Sequence, residues 1–254
     1  MFLHKQGIPI LRMIGDIKKM KNKPRKGCRD IWNAFMVQNA TFEKDIPYCP
    51  TTGEIPEQII TWEEAINIYN KEIASKHLDF KHNAYITFNL DDYKFDNGKY
   101  NIWRYPARAL KIIKHFGGII TPDFSTYIDM PEPFKYYNTY RMRAFGYWCT
   151  RCNVKVINNV RWDYSNNYCY CFCGIPKNSI VLIGTVGSNL KRKETYIVFE
   201  EGFFKMIEEL KPKVILTYGS SKYPCFEKAK EMGIIVIQYD SRTSKSFKGV
   251  DENG

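Results

Sequence analysis

Three aspartates and an arginine stand just beyond short apolar runs in this 254-residue chain, where chemistry is usually done. Asp91 and Asp92 close the run Ala84–Leu90, and Asp123 follows Gly118–Thr121. Asn159, Arg161 and Trp162 end a β-branched run that begins at Val154. Two carboxylates from neighbouring strand ends are what hydrolysis of a glycosidic or phosphodiester bond would need as acid and base. Asp91 and Asp123 are also the pair that could hold Mg²⁺, a cation that takes oxygen ligands and keeps waters for its substrate. Neighbours along a strand point to opposite faces, so only one of Asp91 and Asp92 looks into a given site unless the turn bends. Arg161 suits phosphate, as does Arg141 in a tyrosine-rich segment. Trp162 offers a stacking face, and Asn159 can hydrogen-bond a base or a ribose. The same residue types also cap turns and form structural ion pairs, and that reading stands beside the catalytic one.

Two small-residue turns follow later apolar runs, Gly184-Thr185-Val186-Gly187-Ser188 and Tyr218-Gly219-Ser220-Ser221. Their backbone N–H groups could cradle an anion, which makes Thr185, Tyr218 and Ser220 candidate lining residues. Neither turn matches a P-loop or the GxGxxG dinucleotide fingerprint. The four histidines lie away from both turns in sequence, which argues against a Ser-His-acid triad. Cys149-x-x-Cys152 and Cys169-x-Cys171-x-Cys173 have a finger-like separation. Three thiols on one face of a strand would grip a single ion poorly, and Cys149 belongs to a core-packing helix. Structural zinc is therefore not expected.

These residues need a scaffold that brings strand ends together. Six short apolar runs alternate with helical patterns between residues 83 and 240, as in parallel α/β folds, whose sites lie beyond the carboxyl ends of the strands. The expected architecture is an open, mostly parallel, Rossmann-like sheet with helices on both faces. The alternative is a (β/α) barrel-like arrangement, for which the N-terminal third must supply further strands. Thr61-Trp62-Glu63-Glu64 predicts a helix start with Thr61 as N-cap and Glu64 at the capping-box position. Helices are also expected over about 106–115, 133–149, 200–210 and 224–232, with 162–179 open between a short helix and a hairpin arm.

The charge divides the chain further. Residues 1–29 hold nine lysines and arginines against Asp16, so this arm carries +8 of the net +11 and the remainder only +3. Such an arm suits a polyanion, since each neutralised phosphate releases counterions, or it is a solvated tail. The expected organisation is a basic, flexible arm over 1–29, an extension packed on the core over 30–82, the α/β core over 83–240 and a polar tail over 241–254. No run approaches the roughly 18 apolar residues of a membrane span, and no secretory pattern is evident, so a reducing cytosol is expected. The oligomeric state is not legible.

Several segments together resemble an uncharacterised bacterial and phage family, domain of unknown function 4417. They include Asp30-Ile31-Trp32-Asn33-Ala34-Phe35, Cys49-Pro50-Thr51-Thr52, Ile102-Trp103-Arg104-Tyr105-Pro106, Asn138 through Trp148, Gly174-Ile175-Pro176-Lys177-Asn178-Ser179 and Tyr218-Gly219-Ser220. The resemblance covers about 30–238 and does not depend on the cysteines at 149–173. It carries no activity with it, and its phage setting implies replication, defence or counter-defence. The leading expectation is an enzyme acting hydrolytically on nucleic acid or nucleotides through the strand-end carboxylates. A non-catalytic nucleic-acid-binding accessory and a binder of a small nucleotide ligand are the alternatives.

Overall fold

The computed structural model describes residue 24 and residues 26–241. Most of the basic arm and nearly all of the polar tail therefore lie outside the described residues. A two-residue hairpin, β1 (Phe42–Glu43) with β2 (Ile46–Pro47), precedes the main sheet. The sheet contains seven strands, all parallel: β3 (Gln58–Thr61), β4 (His82–Thr87), β5 (Phe116–Ile120), β6 (Val156–Asn159), β7 (Ile180–Gly184), β8 (Val214–Tyr218) and β9 (Ile235–Tyr239). Between them run α1 (Trp62–Ala74), α2 (Pro106–Ile113), α3 (Glu132–Arg151), the single turn α4 (Tyr168–Cys171), α5 (Lys193–Leu210) and α6 (Pro224–Glu231).

The six expected strands are present, and β3 adds a seventh from the N-terminal extension. The strands lie side by side in chain order, β3 through β9, with no reversal. Of the two arrangements the sequence left open, this order is that of the barrel-like one. Register explains why the helices gather on one face. Ile60, Ile86, Ile119 and Val156 are successive partners, and beyond them Val181, Ile215 and Val236 are too. All of these pack with the helices, in two adjoining clusters. Side chains of the other parity, among them Ile59, Tyr85, Ile157, Leu182 and Leu216, form a separate cluster on the second face. Always crossing in the same hand while stepping to the next neighbour leaves every crossover helix on one side. The bare face then buries itself by curling.

The curl is visible at the sheet's edges. The Tyr239 hydroxyl at the end of β9 donates to the Pro56 carbonyl just before β3, at 2.5 Å. In a flat sheet the outer strands would lie about 29 Å apart, at ~4.8 Å per strand. The result is an α/β half-barrel.

Local signals match their elements. Thr61 caps α1 with a complete capping box, its hydroxyl accepting the Glu64 N–H while the Glu64 carboxylate accepts the Thr61 N–H. Residues 168–171 are a helical turn, not a strand, so Cys169, Cys171 and Cys173 do not share a strand face. All the described cysteines are free thiols. Among the described residues there is no cluster of three or more His, Cys, Asp or Glu able to hold a metal, and no helix long and apolar enough to cross a membrane.

Candidate functional site at the mouth of the sheet

Asp123 is the hub of the carboxyl end. It follows β5, and each of its oxygens is engaged. Oδ1 accepts Asn159 Nδ2 at 2.8 Å, while Oδ2 accepts Asn89 Nδ2 at 3.0 Å and Arg161 Nη1 at 2.9 Å. Three strand ends thus converge on one carboxylate. Asn89 is aimed by Thr87, whose hydroxyl donates to Asn89 Oδ1 at 2.6 Å. Asn159 is fixed through its backbone N–H, which donates to Thr121 Oγ1 at 2.8 Å. Burial alone would lower the Arg161 pKa, but the Asp123 carboxylate outweighs it and holds the guanidinium above its usual value. The remaining Arg161 N–H groups make no hydrogen bond among the described residues.

A cavity of about 590 Å³ opens over this hub. Asn89, Asp123, Asn159 and Arg161 contribute its polar floor. Trp162, Phe199, Leu190 and Val198 give it an apolar wall, and Tyr127 and Tyr164 stand at its rim. Gly202 in α5 lets Trp162 lie flat against the helix, for a β-carbon there would be 2.1 Å from the indole ring.

The structure gathers some of the expected site residues and separates others. Asp91, Asp123, Asn159, Arg161, Trp162 and Tyr218 all line the cavity. Asp91 is exposed and begins a 3-10 turn without capping it through its side chain. Asp92 is turned away and used as a fastener, accepting the Ser125 N–H at 3.2 Å and the Ser125 hydroxyl at 2.9 Å. Burial raises its pKa, and these two hydrogen bonds temper the rise. Arg141 lies outside the cavity lining. It pairs with Asp96 at 2.6 Å, binds Asn138 Oδ1 through Nε and Nη2, and stacks 3.7 Å over the Phe124 ring. Thr185 and Ser220 also lie outside the lining and hold each other, with the Thr185 hydroxyl donating to the Ser220 carbonyl at 3.0 Å.

Three residues that sequence reasoning passed over, Asn89, Lys135 and Asp163, matter here, together with Arg143 from the same segment as Arg141. Asn89 completes the Asp123 hub; the Thr-x-Asn spacing at the end of β4 was its only signal. Arg143 in α3 is wholly buried and donates to three carbonyls, those of Asn159 (3.0 Å), Cys171 (3.2 Å) and Cys173 (3.3 Å). Burial pulls its pKa down to about 10, so it stays charged at neutral pH. Asp163 lines the cavity and is paired at 2.5 Å with Lys135, both nearly inaccessible.

Fold and site together define an α/β half-barrel protein whose polar side chains converge on one cavity at the carboxyl ends of the strands. The chain belongs to the family described as domain of unknown function DUF4417, whose model matches residues 38–240. It is 28% identical over 197 residues to the Gene 1 protein of Mycobacterium phage L5, covering 76% of this chain and 79% of that protein. To the Gene 1 protein of Mycobacterium phage D29 it is 28% identical over 195 residues, covering 76% and 67%. No solved structure gives a significant match.

Proposed function

We propose that the cavity binds a phosphate-bearing, nucleotide-sized ligand and that the protein acts on it by hydrolysis. Arg161 carries this reading. It lines the cavity, is 30% exposed, and spends one N–H on Asp123. Its unused donors are suited to a phosphate, which arginine binds through a planar fork. Asp123 then serves as a positioning residue, holding the fork with its open edge toward the cavity. A volume near 590 Å³ is within the range of small-ligand sites, and Trp162 and Tyr127 supply faces on which a base can stack.

The water-activating carboxylate in this scheme is Asp91. Its side chain lines the cavity and has no hydrogen-bond or ion-pair partner among the described residues, whereas both oxygens of Asp123 are already taken. Any Mg²⁺ would draw its oxygen ligands from Asp91 and Asp123 and would supply an activated water. The saturation of Asp123 also favours a second reading, a nucleotide-binding protein without turnover.

The test incubates the full chain with nucleoside mono-, di- and triphosphates and with short oligonucleotides, with and without Mg²⁺, and resolves products chromatographically. Asp91→Asn is expected to stop turnover while binding survives, and Arg161→Gln to weaken binding itself. Binding with every ligand recovered unchanged moves the conclusion to the second reading. If no ligand binds, or if Arg161→Gln leaves binding untouched, the cavity is not a phosphate site.

A further inference from the structure

The rim of the cavity is built for more than a free nucleotide. Tyr127 is 56% exposed, Ile128 51%, Tyr164 47% and Val186 45%, yet all four line the cavity. They come from the segments after β5, β6 and β7, so the cluster is assembled by the fold rather than by one loop. Scattered apolar residues at a surface need no explanation, but several gathered around one opening mark a contact surface. A ligand confined to the cavity leaves much of these rings in water.

The same rim carries unpaired positive charge. Lys191, Arg192 and Lys193 are exposed and lie between Leu190 and Glu194, both of which line the cavity. None of the three makes an ion pair among the described residues. Their turn is pinned, with the Thr195 hydroxyl donating to the Asn189 carbonyl at 2.6 Å and to the Arg192 carbonyl at 2.9 Å. The acids lining the cavity are Asp91, Asp123, Asp163 and Glu194, of which Asp123 is paired with Arg161 and Asp163 with Lys135.

We infer that the ligand is the end of a single-stranded nucleic acid: one nucleotide enters the cavity, flanking bases stack on Tyr127 and Tyr164, and the backbone runs along Lys191–Lys193. This rests on the nucleotide reading above. Rings that accept any base face, beside a track of cations, are the usual means of holding single strands without sequence preference. A paired end does not fit a cavity of one-nucleotide size unless it first unpairs, which disfavours duplex.

The experiment uses the full chain and fluorescence anisotropy with a labelled mixed-sequence 12-nucleotide strand, its duplex, and a mononucleotide as competitor. The variants are Tyr164→Ala, Lys191→Glu/Lys193→Glu and Arg161→Gln, each checked for unchanged circular dichroism. The basic arm is present in all, so differences report the rim. The expected result is a loss of about ten-fold or more in single-strand affinity for each rim variant, with mononucleotide binding changed less than about two-fold and duplex binding unaffected. Arg161→Gln is expected to weaken both ligands. Rim variants that bind the single strand like the wild type, or a single strand bound no more tightly than the mononucleotide, overturn the inference and leave the nucleotide site standing. Arg161→Gln binding both normally brings down the nucleotide reading itself.

Discussion

Asn89 and Gly184 approach so closely that a β-carbon on the glycine would lie 2.4 Å from the Asn89 amide nitrogen. That nitrogen donates to Asp123. The end of β7 thereby sets the position of a side chain from β4, which in turn holds the carboxylate after β5. Side-chain volume at residue 184 is coupled to the hub without any hydrogen bond of its own.

Gly184→Ala is therefore expected to push Asn89 off Asp123. Overpacking at such a contact costs about 1–3 kcal/mol, which a denaturant titration reads directly. Ligand affinity should fall with it, because Asp123 would lose one of three donors and Arg161 would be less firmly aimed. Val181→Ala, at a buried position on the same strand, should lose stability while leaving ligand binding intact and is the control. Unchanged stability and unchanged binding in Gly184→Ala would mean that Asn89 has room to move.

Much of this arrangement is legible in the residues, and the reasons for the rest are physical. The capping box at Thr61 and Glu64 is local chemistry, so four consecutive residues are enough to announce α1. The strand ends are legible because buried parallel strands are short apolar runs that stop at polar residues. β3 is not, since Gln58–Thr61 is four residues long and adjoins the helix it leads into. Strand order is not legible either, because alternation of strands and helices is common to sequential and doubly wound sheets. Asp123, Asn159 and Arg161 are recognisable as strand-end residues, but their convergence on one carboxylate is a property of the curl. Arg141 and Asp92 have the same surface credentials in sequence. Only packing shows that Asp96, Asn138 and the Phe124 ring claim the first, and Ser125 the second.

Asp92 offers a test of that distinction through pH. Burial raises its folded pKa, so ionisation costs the folded state more than the unfolded one. Stability contributed by the protonated form is present at low pH and diminishes as pH rises through the unfolded value toward the folded one. Asp92→Asn keeps an acceptor for Ser125 and carries no charge. It should match or exceed wild-type stability at pH 7 and lose that advantage in acid. Asp92→Ala should cost about 1–2 kcal/mol at either pH by leaving the Ser125 donors unpaired. Denaturant midpoints between pH 4 and pH 7 give the answer, and an Asn variant that grows relatively weaker as pH rises would contradict the assignment.

The buried pair Lys135 and Asp163 should lose stability in the same direction, but in the alkaline range. Desolvation alone would lower the Lys135 pKa, but its bonds to Asp163 and Glu132 overcome this and raise it above 10.5. The stabilisation is complete below the unfolded value and is lost as pH rises through the folded one. Lys135→Met leaves Asp163 buried without a counter-charge, with only the Tyr164 N–H among the described residues still donating to it, and should cost about 3–5 kcal/mol at pH 7. The difference from wild type should shrink in strong alkali, where the wild-type lysine also loses its proton. Lys135→Met/Asp163→Leu should recover most of the loss, because a buried pair replaced whole is tolerated far better than one broken.

Arg143 joins the helix layer to the site without touching the cavity. One guanidinium serves the carbonyl of Asn159 at the end of β6 and the carbonyls of Cys171 and Cys173 in the segment beyond it. No single lysine nitrogen can reach three carbonyls set around a planar fork, so Arg143→Lys should be almost as damaging as Arg143→Met. Leaving buried carbonyls unpaired costs about 1–3 kcal/mol for each group, so a loss of at least about 3 kcal/mol is expected for Met. The segment 168–173 should loosen first. That is measurable as faster alkylation of Cys171 and Cys173, whose thiols burial now raises well above the ordinary range for Cys171 and to about 11 for Cys173. In the wild type the exposed Cys28 and Cys169 should react at once and the half-buried Cys152 more slowly. If Arg143→Met leaves that order intact, the guanidinium is filling space rather than holding β6 to its neighbour.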